Sequence, residues 1–163
     1  MKRSAVSLVL AVSVLGCGPE GAFPPEMDPD AWIEARPPCT LSHDHDLTYI
    51  RVWADPAAHP IYTTFDGAYP AGATLLKGMY RDEECEELVG FVTMVKLEPG
   101  SAPENMDWDW RRYDETGHEM VNPRRIPSTC VDCHVWHCGE QPYGWDLTCS
   151  QEGVEPPGPP PGS

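Results

Sequence analysis

Three cysteines and two histidines fall within the eleven residues STCVDCHVWHC, positions 128–138. Inside that stretch, Cys130-Val131-Asp132-Cys133-His134 has the C-x-x-C-H spacing that attaches a c-type haem. The spacing follows from the chemistry. Two thiols one helical turn apart add across the two vinyl groups of the porphyrin, and the adjacent imidazole then lies beneath the iron. Cys130 and Cys133 would carry one haem c, with His134 as its axial ligand. Three other readings use the same residues. A zinc site could draw on Cys130, Cys133, His137 and Cys138, although most zinc modules take their ligand pairs from two separate segments. A redox dithiol needs its C-x-x-C at a helix start in a βαβ unit, and none is visible. An exported, cysteine-rich domain could also use these thiols for disulfides alone.

Compartment bears on that choice, and the N-terminus speaks to it. MKRSAVSLVLAVSVLGCG opens with Lys2 and Arg3, continues apolar, and ends on small residues before Cys17. That is an export signal too short to remain as a membrane span. Val14-Leu15-Gly16-Cys17 resembles a bacterial lipobox, with Cys17 the lipid-bearing residue; ordinary cleavage nearby is the alternative. Haem attachment of this kind follows export, so leader and motif support each other. The expected location is the periplasm or cell envelope, with the membrane engaged only through a lipid.

The elements that must position the motif come next. LTYIRVWAD (47–55), GATLLKGMY (72–80), ELVGFVTMVKL (87–97) and NMDWDWRRYD (105–114) are β-branched or aromatic and lie between Pro, Gly and Asp clusters. They read as strands of an antiparallel sheet. Alternation puts Leu75, Lys77 and Met79 on one side of the second strand. In the third, Val92, Met94 and Lys96 oppose Phe91, Thr93 and Val95, and Trp108, Trp110 and Arg112 align in the fourth. The fold class is therefore α+β, a mainly antiparallel sheet with short helices at its ends, on which the haem would pack.

Boundaries follow composition: signal 1–16, a Pro/Gly/acid-rich linker 17–38, one folded domain 39–149, and a Pro-rich tail 150–163. MDPDAWIEAR, within the linker, could form one short helix capped by Asp28 or Asp30. If Cys130 and Cys133 carry haem, then Cys39, Cys85, Cys138 and Cys149 remain for two disulfides, with three pairings open. Cys138 with Cys149 and Cys39 with Cys85 is preferred, since the first closes a short local loop. Net charge is −15, and two units more negative once Lys2 and Arg3 leave. Nucleic acid and anionic membranes are poor partners for such a surface, whereas a basic redox partner or a small neutral or cationic substrate suits it.

Taken together and in order, YPAGATLLKGMY, GFVTMVK, MDWDWRRYDETG and CVDCH resemble the cytochrome P-460 family over about residues 43–134, with SHDHDLTYIRVW a weaker match. The tail VWHCGEQPYGWDLTC departs from that pattern by adding two cysteines. The resemblance implies an antiparallel sheet bearing the haem, usually in a homodimer. It also implies hydroxylamine oxidation with a lysine nitrogen bonded to a meso carbon of the haem. In related cytochromes c′-β the crosslink is missing and an open distal site binds nitric oxide or carbon monoxide. Lys77 and Lys96 are the two strand lysines that could make such a bond, with Lys77 favoured by its spacing to the haem motif. Either could instead snorkel into water. Met94 could serve as a sixth ligand or fill the core; His43, His45 and His59 could approach the haem; and His137 reads as a surface or supporting group. Trp108, Trp110, Trp136 and Trp145 read as core or haem-edge packing. The implied function is redox conversion of hydroxylamine or nitric oxide at a His-ligated iron, the alternative being an electron carrier or gas binder.

Overall fold

A computed structural model describes residues 31–36, 39–42, 45, 48–120, 126–138 and 144–149. Cys17 with its leader, Asp28, Asp30, His43 and the 150–163 tail lie outside the described residues. Four central strands form where alternation places them: β3 (Thr48–Ala54), β4 (Thr74–Tyr80), β5 (Leu88–Lys96) and β6 (Trp108–Asp114). Each pairs antiparallel with the next, and the ends are trimmed by one to three residues relative to the expectation. The result is mainly antiparallel sheet with two short helices, α1 (His59–Thr64) and α2 (Ile126–Cys138).

Two very short strands, β1 (Ile33–Glu34) and β2 (Thr40–Ser42), share the outer edge of β3. β1 corrects two expectations. The sheet begins inside the stretch assigned to the linker, and Ile33 and Glu34 are extended against Ala54 and Trp53 rather than helical. Pairing an otherwise open edge of β3 satisfies backbone groups that a free helix would leave to water. The Glu34 carboxylate also accepts from Arg51, whose guanidinium stacks over Trp53.

Register sorts the side chains into two faces. Val52 opposes Lys77, Lys77 opposes Val92, and Val92 opposes Arg112; Leu75, Met94 and Trp110 form the adjacent row. This face carries the main core, with Ile50, Val52, Leu75, Met94, Trp108 and Trp110 under α1 and α2. The opposite face holds a smaller cluster of Leu76, Phe91 and Tyr113, bordered by Trp32, Trp53 and Leu88. Asp55 locks the exit of β3: its carboxylate accepts from the amides of Ala57, Ala58 and Thr74, joining α1 to β4.

A small hairpin, β7 (Gly144–Trp145) with β8 (Thr148–Cys149), follows α2. Its approach to the helix is so close that a Cβ at Gly144 would lie 2.4 Å from the carbonyl oxygens of Cys138 and Thr148. Only glycine fits there. The cysteines pair as preferred, Cys39–Cys85 and Cys138–Cys149, leaving Cys130 and Cys133 outside the disulfides among the described residues.

The two bridges close spans of 46 and 11 residues. The loop-entropy relation assigns them about 4 and about 3 kcal/mol respectively. Urea unfolding of Cys39→Ser/Cys85→Ser is thus expected to show the larger loss of the two paired variants, and an equal or reversed order would mean that strain or residual structure dominates.

Candidate functional site

α2 presents its chemistry on one side. Cys130 and Cys133 are one turn apart and His134 lies four residues beyond Cys130, the offsets that share a helix face. Both thiols are half-buried. The Nδ1–H of His134 donates to the carbonyl of Leu147 at 2.6 Å, and the indole of Trp110 stands edge-on to its ring at 4.7 Å between centres. Burial first, then the Lys77 charge, lowers the His134 pKa to about 4. The imidazole is therefore neutral near pH 7, with Nδ1 committed to Leu147 and Nε2 left as the basic nitrogen.

The β7–β8 hairpin creates that hydrogen bond. Asp146 and Leu147 both have positive φ, 45° and 65°, which is the I′ turn expected of a two-residue hairpin loop. Leucine disfavours this conformation, yet here its side chain is 1% exposed in the main core while its carbonyl faces His134. The hairpin is held on every side. Cys149 is bonded to Cys138 at the end of α2, Trp108 Nε1 donates to the Asp146 carbonyl, Tyr69 and Thr148 share a hydroxyl contact, and Trp145 Nε1 donates to Gly67.

The two strand lysines have different fates. Lys96 Nζ pairs with the Asp146 carboxylate at 2.6 Å, donates to the Met106 carbonyl at 2.9 Å, and lies 4.8 Å from the centre of the Trp108 ring. Its charge is fully engaged. Lys77 instead projects into a cleft, partly continuous with solvent, that also reaches His134, Met94 and Trp110. Burial there lowers its pKa to about 8, with the Cys130 thiol opposing the shift and Arg36 adding to it. Lys77 Nζ donates to His45 Nε2 at 2.5 Å, and His45 Nδ1 contacts Ser42 Oγ at 2.6 Å. Burial and the Lys77 charge hold His45 far down, to about 2. A neutral imidazole that accepts at Nε2 must carry its proton on Nδ1, so His45 donates to Ser42.

The cleft has apolar walls, Ile50, Val52, Leu75 and Val92 among them, and two cationic side chains, Arg36 and Lys77. Among the described residues no carboxylate lines it. Trp110 Nε1 is buried without a hydrogen-bond partner. Such a donor costs about 1–3 kcal/mol unless something accepts from it.

Of the residues singled out from the sequence, Lys77, His45, Met94, Trp110 and His134 meet at the cleft, and Cys130 and Cys133 lie within electrostatic reach of Lys77. Cys130, Cys133, Lys96, His59, His137, Trp108 and Trp145 are not among the residues that line it. Cys17, His43 and the side chain of Trp136 lie outside what is described. The zinc quartet loses Cys138 to its disulfide. His134, Cys138 and Cys149 also bring three donor atoms within 4.8 Å, but two of these are the bonded sulfurs. Ser42, Arg36 and the Leu147 carbonyl were not anticipated, and a backbone oxygen leaves no signal in a residue pattern. No helix among the described residues is long and apolar enough to cross a membrane. No family model matches the chain, and no curated protein matches it significantly.

Lys77 generates a pH prediction. Between about 8 and the ordinary lysine range the unfolded chain binds the extra proton, so this group makes stability rise as pH increases through that window. Thermal unfolding followed from about pH 7.5 to about 10, the window that relation spans, is expected to show a rise in the wild type that is flattened in Lys77→Met. An unchanged slope in the variant would mean that Lys77 keeps its proton in the folded state.

Proposed function

We propose that this chain is an exported mono-haem c protein of cytochrome P-460-like character, with Cys130 and Cys133 as the thioether partners and His134 as the axial ligand. The single observation that carries the reading is the pairing of two cysteines outside the disulfides, one turn apart, with an adjacent imidazole whose Nδ1–H is already donated to Leu147. Ligand histidines are oriented by this kind of outer hydrogen bond. The cleft suits the group on further grounds. Its walls are apolar, Arg36 would complement a haem carboxylate, and Trp110 Nε1 has a hydrogen bond to give. Four other cysteines are withdrawn into disulfides, as an oxidising compartment permits.

When bound, an iron porphyrin supplies one-electron chemistry and an exchangeable coordination position, tuned by axial ligation, polarity and distortion. The chain's own residues do the rest. Leu147 orients His134, Trp110 packs its ring, and the hairpin disulfide keeps both in place. Lys77 brings an amine of lowered basicity to the cleft, which makes it a better nucleophile than the ion-paired Lys96. Lys77 would thus be the lysine that offers its nitrogen to a haem edge; a bond there would cost one N–H and one C–H and would need an added peroxide to take up two protons and two electrons. The proposed substrate is hydroxylamine or nitric oxide, with electrons passed to or from a partner protein; lipid anchoring through Cys17 and a homodimer belong to the same reading. A non-enzymatic carrier or gas binder is the second reading, favoured by the nearness of His45 to His134.

Expression in an exporting host with c-type maturation is expected to give a coloured protein whose intact mass equals the processed polypeptide plus one haem. Cys130→Ser/Cys133→Ser should be free of covalently held haem. A wild-type protein that is colourless and at its bare polypeptide mass would refute the proposal. A crosslink would remove two hydrogens from that mass and red-shift the ferrous Soret band; Lys77→Arg should abolish both, and Lys96→Arg neither.

A further inference from the structure

We infer that His45 is a second, displaceable axial ligand of the iron held by His134, an inference that rests on the haem reading above. The two imidazoles are prepared alike. Each has its Nδ1–H committed to an oxygen, Leu147 O for His134 and Ser42 Oγ for His45. In each that leaves the Nε2 lone pair as the donor to a metal, and an outer hydrogen bond of this kind accompanies most metal-bound histidines. Both side chains line the same cleft, and with His45 accepting from Lys77 their ring centres are 6.3 Å apart. Of the other ligands anticipated among the described residues, Met94 also lines the cleft but is a thioether packed between Leu75 and Trp110 in the main core, with no second group to orient it, and His59 does not line the cleft.

Displacement follows from Lys77. The Nε2 of His45 accepts from Lys77 Nζ in this structure, so an imidazole released from the metal has a partner waiting and is not left as a buried, unsatisfied acceptor. His45 thus has two satisfied positions, one on the iron and one on Lys77. A small ligand of the diatomic or hydroxylamine type would bind by exchanging the first for the second. Ser42 acts as a positioning residue in both, by keeping the proton on Nδ1.

The haem-bearing protein tests this directly. Its oxidised form is expected to be low-spin, and pulsed EPR on protein labelled with nitrogen-15 histidine should count two imidazoles on the iron. His45→Ala should turn the ferric iron high-spin, and added imidazole should restore the low-spin spectrum. Carbon monoxide should bind the reduced variant at least about tenfold faster than the wild type, since the position no longer has to be vacated. A haem-bearing wild type with one coordinated imidazole overturns the inference and leaves the haem reading standing, as does a His45→Ala protein that stays low-spin. A colourless wild type overturns both. If His45→Ala does not mature, the imidazole count in the wild type still decides.

Discussion

A single hydrogen bond, from His134 Nδ1 to the carbonyl of Leu147, sets the protonation and direction of the imidazole on which the proposed site is built. It is a contact between a helix and a turn, and neither would hold its place alone. The hairpin that carries Leu147 is only two residues per strand, far below the size at which a hairpin is stable in water. Its position comes from elsewhere: the disulfide to Cys138, the Trp108 indole on Asp146, the Lys96 ion pair, and the Tyr69 hydroxyl against Thr148. The Lys96–Asp146 pair is mostly enclosed, so its loss would leave a charge in the protein rather than in water. Lys96 thereby serves the site at a distance, by fixing the turn.

The different surroundings of Lys77 and Lys96 show why strand alternation alone could not choose between them. Register places Lys77 opposite Val52 and Val92, in the middle of the sheet; Lys96, the last residue of β5, pairs with Trp108 at the start of β6. A central lysine meets apolar neighbours on both sides and loses hydration. One at a strand end can find a carboxylate in the next loop. Period two gave the face of each side chain correctly, along with four of the strands, because both depend on local sequence. The acid that engages Lys96 is fifty residues away, and no local pattern announces it.

The same distinction explains what remained illegible. The pairing of Cys138 with Cys149 could be read because it closes a short local loop, which, with Cys130 and Cys133 set aside, leaves Cys39 for Cys85. β1 could not, since Ile33 and Glu34 form a strand only by completing the edge of β3. Nor could His45 be singled out from His43 and His59, because its role depends on Ser42 fixing one nitrogen and the fold bringing the other to Lys77. Net charge is silent about the cleft for a similar reason. A count of −15 describes the surface, while the cleft is lined by Arg36 and Lys77 and by no described carboxylate. Local potential at a site is set by the groups that line it, and the low-dielectric walls keep distant acids from cancelling them.

Three costs incurred in folding meet in this one region. Leu147 occupies a left-handed conformation that its branched side chain disfavours, Lys77 gives up hydration, and Trp110 buries an indole N–H with nothing to accept it. Elsewhere such costs are scattered singly, at turn residues such as Phe65 and Met106 and at the Thr93 hydroxyl, while β-branched residues fill the strands and Asp55 accepts from the amides just before α1. A marginally stable domain of this size tolerates several unfavourable terms in one place only if a ligand or a function offsets them. The three terms point to one kind of occupant. It would accept from an indole, neutralise cationic side chains, take the lone pair of a neutral imidazole, and otherwise be apolar.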